Sequence, residues 1–142
     1  YSITFKRPAD WPEVPIVLAE AKVAVTPMMD TLRFAGTLEL AGFDESVNQR
    51  RVNAILKTIP RYLPQVDRSK LEMVEVWRGL RPCTPDGLPI IDRLPNHPNI
   101  YLCTGHAMLG YTQSPISGKL ISEMITGQSL STSVEALTVR RF

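Results

Sequence analysis

The sequence is organised around one stretch, Trp77-Arg-Gly-Leu-Arg-Pro-Cys-Thr-Pro-Asp-Gly-Leu-Pro-Ile-Ile91. After a polar loop the chain continues through an apolar run, Ile100–Thr104, into Gly105-His-Ala-Met-Leu-Gly110, and a helical pattern then extends to Gly127. A strand that leads through a glycine loop into a helix start exposes backbone N–H groups and the positive end of the helix dipole. We therefore predict a site for an anion or a polar ring in this segment.

Composition limits the class of protein. The chain has 142 residues, enough for one domain with a hydrophobic core. Hydrophobic residues make up 44% and charged residues 21%, as in soluble globular proteins. The net charge of +2 is too small to favour nucleic acid as a partner. The two cysteines, Cys83 and Cys103, lack metal or redox spacing, so we predict free thiols and no metal site.

The first half of the chain predicts strands and one helix. The predicted strands are Ser2–Lys6, Pro15–Leu18, Lys22–Thr26, Thr31–Phe34 with Thr37–Leu40, and Leu71–Trp77. Ser46 and Gln49 fit a capping box at a helix start. The i, i+3, i+4, i+7 spacing of Val52, Ile55, Leu56 and Ile59 predicts one buried face, and Pro60 is expected to end the helix.

The second half predicts a buried strand at Ile100–Thr104 and a last helix. Thr112 or Ser114 would cap this helix, with Pro115 in its first turn and Gly127 just beyond its end. Its predicted apolar stripe consists of Ile116, Leu120, Ile121, Met124 and Ile125. We expect an irregular tail over residues 128–142. The predicted fold class is α+β, a mostly antiparallel sheet with packed helices.

The central stretch resembles the C-terminal part of the D-amino-acid oxidase/glycine oxidase-like family of FAD-dependent oxidoreductases, and within it the bacterial D-amino acid dehydrogenases. The residues that carry the resemblance are Trp77, Gly79, Leu80, Arg81, Pro82, Thr84, Pro85, Asp86, Gly87, Pro89, Gly105, His106, Leu109 and Gly110. Weaker similarity covers nearly the whole chain. The resemblance implies a division into part of a substrate-binding domain (1–76), a segment that contacts substrate and FAD (77–127) and a C-terminal tail (128–142).

Arg81 is the predicted catalytic and substrate-binding residue. A guanidinium matches a carboxylate through two parallel hydrogen bonds, and the resemblance implies that Arg81 binds the carboxylate of an amino acid. The alternative is a structural ion pair with Asp86 or Glu75. The resemblance also places Gly36 and Thr37 near the substrate, although a plain bend in the sheet explains Gly36 equally well.

The resemblance assigns the loop after Ile100–Thr104 to the flavin. The implied cofactor-binding residues are Gly105, His106, Met108, Leu109, Gly110, Tyr111 and Thr112, and Tyr111 also belongs to the predicted substrate site. Backbone N–H groups at a helix N-terminus would stabilise negative charge on a reduced flavin. Met108 and Leu109 stand where oxidase relatives often carry a basic side chain, so their apolar character favours a dehydrogenase.

A Gly-x-Gly-x-x-Gly motif, which would bind the other half of FAD, is absent from the sequence. The chain begins at Tyr1 within a strand pattern, so we expect a piece of a longer polypeptide that purifies without FAD and lacks its N-terminal FAD domain. Asp92 stands where relatives usually have glycine. We predict oxidative deamination of a small D-amino acid, in which hydride passes from the α-carbon to the flavin and the imine is hydrolysed to a 2-oxo acid.

The sequence is compatible with more than one partner and location. A homo-oligomer is compatible with the sequence, and so is an electron acceptor at the membrane. The predicted location is the cytoplasm, with peripheral association at the inner face of the cell membrane left open. The alternative function is a stand-alone, non-catalytic domain that binds a small amino acid or a partner chain.

Overall fold

The computed structural model describes residues 1–11 and 13–142. It divides the chain into two compact units, residues 1–80 and residues 81–142. Strands and helices are mixed, and every strand pair is antiparallel in the described residues. The predicted α+β class is therefore confirmed. The functional division at residues 76/77 and 127/128 stays a prediction.

The first unit contains a five-stranded sheet. Its strands are β1 (Ser2–Lys6), β2 (Ile16–Leu18), β3 (Val23–Pro27), β4 (Thr31–Gly36) and β5 (Met73–Trp77), in the spatial order β2-β3-β4-β1-β5. Two helices, α1 (Gln49–Leu56) and α2 (Thr58–Tyr62), complete the unit, followed by a short 3-10 turn at Arg68–Lys70. The sheet confirms the general positions of the predicted strands.

One core joins the sheet to the helices in this unit. Ile3, Leu32 and Phe34 are fully buried strand residues, and the predicted helical face is buried as well. Phe34 contacts the rings of Phe5 and Trp11 edge-on, with centroids 5.7 and 6.5 Å apart. Each large apolar side chain buried in this way contributes roughly 1.5–3 kcal/mol relative to exposure.

The predicted start of α1 was wrong by two residues. Asn48 is the N-cap, and its side chain accepts a hydrogen bond from the backbone N–H of Arg50. Ser46 instead belongs to a turn in which its N–H donates to the Asp44 carboxylate. Pro60 does not end a helix but lies in the first turn of α2, where the missing proline N–H has no helical partner to lose.

The predicted strand at Thr37–Leu40 is also absent from the described residues. Strand β4 ends at Gly36, and Thr37 has a φ of 66°, which a strand cannot continue. The segment from residue 37 to residue 48 instead forms an exposed loop whose ends are tied together. The Tyr1 hydroxyl donates to the Glu39 carboxylate at 2.6 Å, and the Asn48 amide donates to the same carboxylate at 2.9 Å.

The second unit consists of two strands and a long helix. Strands β6 (Ile90–Arg93) and β7 (Tyr101–Thr104) form an antiparallel pair, and α3 spans Gly110–Thr126. Two 3-10 turns, Glu135–Leu137 and Val139–Arg141, give structure to the segment predicted as an irregular tail. The prediction of a buried strand at 100–104 was wrong in its burial, since Ile100, Cys103 and Thr104 are exposed.

Helix α3 begins earlier than predicted. Its N-cap is Leu109, which offers no side-chain oxygen, so neither Thr112 nor Ser114 is the cap. Pro115 lies inside the helix and cannot donate to the carbonyl of Tyr111. The Ser114 hydroxyl donates to that carbonyl instead, at 2.8 Å. This substitute hydrogen bond explains how the helix continues through a proline.

The end of α3 agrees with the prediction, whereas its buried face agrees only in part. Gly127 is the C-cap with a φ of 67°, a left-handed conformation that favours glycine. Leu120 is buried, but Ile116 and Ile125 are exposed. The buried positions are Ser117, Leu120 and Glu123, so part of this face is polar. No helix of the described chain is long and apolar enough to cross a membrane.

Candidate functional site

Arg81 lies against the glycine loop of the second unit. Its Nη1 donates to the backbone carbonyl of Ala107 at 2.8 Å, and the N–H of Ala107 donates to the carbonyl of Pro82 at 3.1 Å. Cys83 and His106 form an isolated antiparallel bridge next to these contacts. The structure therefore brings the Gly-Leu-Arg-Pro motif together with the loop at 105–107, two segments that the sequence analysis assigned to one site.

The guanidinium of Arg81 keeps most of its donors unused. Only one of its N–H groups has an acceptor among the described residues, and no described carboxylate lies within ion-pair distance. Asp86, one predicted alternative partner, is paired with Arg141 instead, with Arg141 Nε 2.6 Å from Asp86 Oδ2. The structural ion pair is thus not formed, and the remaining fork is available to an anion.

The loop that faces Arg81 has a special backbone. Gly105 has a φ of 79°, and a Cβ atom at this position would lie 2.7 Å from Cγ2 of Thr84. Ala107 also has a positive φ of 49°. The N–H of Leu109 donates to the carbonyl of His106 at 2.9 Å and closes the turn before the helix. The glycine at 105 is therefore required by both conformation and space.

The start of α3 presents unpaired donors. The backbone N–H groups of Gly110, Tyr111 and Thr112 have no acceptor among the described residues, and the first helical hydrogen bond runs from Gln113 to Leu109. No acidic side chain lies in this first turn. Met108 is 79% exposed and Tyr111 is 94% exposed. Such a helix start favours an electron-rich group through both its N–H donors and its dipole.

His106 has one side-chain partner in the described chain. Its Nε2 lies 2.9 Å from the Oγ of Ser117, about two turns into α3. The ring is half-buried. The Cβ of His106 lies at the base of the helix, 3.5 Å from where a Cβ on Gly110 would be. Sequence reasoning named His106 but missed Ser117, because nothing in the pattern distinguishes this serine from the other hydroxyl residues of the helix.

Gly36 and Thr37 belong to the first unit. A Cβ at Gly36 would lie 3.0 Å from the carbonyl oxygen of Lys22 and 3.1 Å from a methyl group of Val23, so close packing within the sheet explains this glycine. Thr37 is a β-branched residue with a φ of 66°. Strained residues of this kind concentrate at functional sites, and its substrate-binding role stays a proposal.

Asp86 and Asp92 hold the end of the chain against this second unit. Arg141 binds both carboxylate oxygens of Asp86, and its hydrogen bonds lower the pKa of Asp86 to about 2. Asp92 accepts from the Thr138 hydroxyl at 2.6 Å and from the Val139 N–H at 2.9 Å. Burial raises the pKa of Asp92, but these hydrogen bonds outweigh it and bring the pKa below its usual value.

The structure therefore gives a reason for the aspartate at position 92. The aspartate that stands in place of the expected glycine receives the C-terminal 3-10 turn, a pairing between residues 46 positions apart. No local pattern indicates this partner, because a side-chain acceptor for a distant backbone N–H leaves no signature in the neighbouring residues.

Comparison with known proteins places these features in a family. The family model described as FAD dependent oxidoreductase (DAO) matches residues 1–124. The chain is 37% identical over 144 residues to a D-amino acid dehydrogenase of Paramagnetospirillum magneticum, covering 100% of this chain and 33% of the relative. It is 41% identical over 122 residues to a D-amino acid dehydrogenase of Vibrio atlanticus, covering 85% and 28% respectively. The chain belongs to the DAO family of FAD-dependent oxidoreductases, and the predicted resemblance is confirmed.

Solved structures show the same fold. The crystal structure of glycine oxidase from Geobacillus kaustophilus superposes with a TM-score of 0.86 at 23% identity, over 99% of this chain and 38% of that chain. L-proline dehydrogenase from P. horikoshii superposes with a TM-score of 0.79 at 18% identity, over 99% and 38%. The chain thus spans about a third of the length of the curated relatives it matches.

The residues of the second unit fit one part of FAD. Three unpaired N–H groups at a helix start, without an acidic neighbour in the first turn, suit the carbonyl and nitrogen acceptors of a flavin ring. Met108 and Leu109 add exposed apolar surface beside these donors, as a flat ring requires. The sequence contains no glycine motif for the pyrophosphate, so this fit concerns the ring end of the cofactor.

Proposed function

We propose that this chain supplies the substrate-carboxylate anchor and the flavin-facing helix start of a longer FAD-dependent D-amino acid dehydrogenase. The observation that carries the proposal is the free guanidinium fork of Arg81, fixed by Ala107 next to the unpaired N–H groups of Gly110–Thr112. Family membership, and relatives named D-amino acid dehydrogenase, support it. The other half of the FAD site would come from a dinucleotide-binding domain outside this sequence.

Arg81 binds the α-carboxylate in this proposal. One N–H group stays with the carbonyl of Ala107, and the remaining donors form charge-assisted hydrogen bonds worth about 1.5–3 kcal/mol each. Because Ala107 belongs to the loop before α3, the anchor and the loop keep a fixed spacing. The substrate α-carbon is thereby held in register with the group bound at the helix start.

The helix start stabilises negative charge in this proposal. FAD, when bound, supplies a hydride acceptor for the α-carbon of the amino acid. The N–H groups of Gly110, Tyr111 and Thr112 donate to the acceptor atoms where charge develops, in an arrangement fixed before the reaction begins. Gly105, His106, Met108 and Leu109 shape the loop. Tyr111 is exposed and is proposed to contact both the substrate and the ring.

Gly36 and Thr37 have a supporting role in the proposal. Thr37, with its strained backbone, and Gly36 are proposed to belong to the substrate site of the full-length protein. The substrate is a small D-amino acid, and electrons leave through an acceptor other than oxygen because Met108 and Leu109 provide no basic side chain there. That acceptor is proposed to lie at the inner face of the cell membrane, with the protein in the cytoplasm.

The test is a substrate screen of the chain joined to its dinucleotide-binding domain. Flavin content is measured first, and reduction of an artificial electron acceptor is then followed with D-alanine, D-proline, glycine and the two L-enantiomers. We expect turnover of a D-amino acid, little turnover of its L-enantiomer and slow reaction with oxygen. A flavin-loaded protein that oxidises only L-amino acids or glycine would contradict the D-specificity, and one that binds amino acids without flavin would favour a non-catalytic binding domain.

A further inference from the structure

Ser117 is the one hydroxyl of the buried face of α3, and it is directed at His106. The residue is 3% exposed, and its Oγ lies 2.9 Å from His106 Nε2. Two other hydroxyls of this helix, those of Ser114 and Thr126, donate to helix carbonyls at 2.8 Å. Ser117 has no carbonyl acceptor among the described residues. The ring of His106 is therefore the one acceptor for the Ser117 hydroxyl among the described residues.

The two tautomers of a neutral His106 ring are not equivalent in this setting. If Nε2 carried the proton, it would donate to Ser117 Oγ, and the buried serine hydroxyl would be left without an acceptor. An unpaired buried donor carries a desolvation penalty. If Nδ1 carries the proton, Nε2 accepts from Ser117, and both Nε2 and the buried hydroxyl are paired. The second arrangement is favoured.

We propose that Ser117 is a positioning residue that holds His106 as the Nδ1–H tautomer. The half-buried ring then offers a hydrogen-bond donor, because Nδ1 has no acceptor among the described residues. A ligand bound at the loop would present an electron-rich oxygen or nitrogen to that donor. The role toward a ligand rests on the proposed function, whereas the tautomer is a property of the chain alone.

Ring nitrogen NMR tests the tautomer directly. The protein is labelled with 15N in histidine side chains and studied at pH about 8.5, above the ordinary histidine pKa of about 6.5. The His97→Gln variant, which changes a surface loop, assigns the His106 signals. We expect a protonated Nδ1 and an unprotonated Nε2 for His106. A spectrum with the proton mainly on Nε2 would overturn the proposal.

Two variants separate the hydroxyl from the space it fills. Ser117→Ala removes the donor, and Ser117→Cys keeps the shape with a much weaker donor. Both should lose the Nδ1–H preference, and unchanged tautomer populations in both would overturn the proposal. In the flavin-loaded protein, both should lower kcat/KM about threefold to tenfold, the equivalent of one hydrogen bond. If the chain joined to its dinucleotide-binding domain binds no flavin or shows no turnover, the proposed function is contradicted. The tautomer result would still stand.

Discussion

Arg141 holds Asp86 through both carboxylate oxygens, with Nε 2.6 Å from Oδ2 and Nη2 3.3 Å from Oδ1. The same guanidinium donates to the carbonyls of Leu88 and Thr138. A cation next to the last residue of the sequence thus fixes the turn that follows the Gly-Leu-Arg-Pro motif.

The Asp86–Arg141 pair predicts a specific acid sensitivity. Hydrogen bonds from Arg141 lower the pKa of Asp86 from 3.8 to about 2 in the folded protein. A carboxyl whose folded pKa is lowered stabilises the fold above its unfolded pKa, and this contribution is lost as pH falls from about 4 to about 2. The free energy of unfolding, measured in urea as a function of pH, should decline less steeply over this interval for Asp86→Asn than for the unmodified chain.

The matched control for this prediction is Glu135→Gln, which changes an exposed carboxylate of the same unit. Its pH profile should follow that of the unmodified chain. If Asp86→Asn follows it as well, the pair contributes nothing to stability, and the fixed turn beside Arg81 needs another explanation.

The core of the first unit predicts that two phenylalanines contribute very differently to the free energy of unfolding. Phe34 is 0% exposed and contacts two aromatic rings, whereas Phe43 is 88% exposed. Phe34→Ala should lower the free energy of unfolding by about 3–5 kcal/mol, and Phe43→Ala should change it by less than about 0.5 kcal/mol. Urea denaturation measures both. Equal effects would mean that the described core does not carry the stability of this unit.

Substitution of Gly105 by alanine is expected to lower the free energy of unfolding through a steric clash that can be separated from backbone strain. Gly105 and Gly87 have similar φ values, 79° and 77°, but only at Gly105 would a Cβ meet a neighbour, Cγ2 of Thr84. Gly87→Ala should cost about 1–2 kcal/mol from strain alone, and Gly105→Ala should cost more. Adding Thr84→Ser to Gly105→Ala removes the clashing methyl and should restore part of the difference in free energy of unfolding. No recovery would contradict the described approach of the two segments.

Local patterns predicted every described strand except β6, together with the buried face of α1 and the Gly127 cap, because each depends on neighbours in sequence. The errors arose where a distant or unexpected partner decided the outcome. Asn48 displaced Ser46 as the cap, and the Ser114 hydroxyl replaced the hydrogen bond that Pro115 cannot make. The partners of Asp86 and Asp92 lie 55 and 46 residues away, so no local rule could reveal them.

The candidate site was predicted through motifs rather than through geometry. Arg81 and the loop at 105–112 were named from the sequence, and the structure joins Arg81 to this loop through Ala107. The unused donors of Arg81 could not be anticipated, because no local pattern in the sequence shows which acceptors the guanidinium meets. Ser117 was missed because the direction of a hydroxyl is set by packing of the helix.

Arg81 and Arg78 give the sharpest contrast for the central claim. Arg78 donates through Nη1 to the carbonyls of Asp44 and Ser46, so its role is to hold the loop of the first unit. Arg81 has unused donors beside the helix start. Arg78→Leu should therefore change kcat/KM by less than about tenfold, and Arg81→Lys should retain only part of the activity because a point charge does not reproduce the fork.

Steady-state kinetics of Arg81→Leu on D-amino acids, in flavin-loaded protein, test the proposed anchor most directly. Loss of the fork leaves the substrate carboxylate unpaired and should cost about 3–5 kcal/mol of transition-state binding. This corresponds to a fall of about 100- to 5000-fold in kcat/KM. Near-normal kcat/KM in Arg81→Leu, or a larger loss in Arg78→Leu, would show that Arg81 does not bind the carboxylate and would contradict the account.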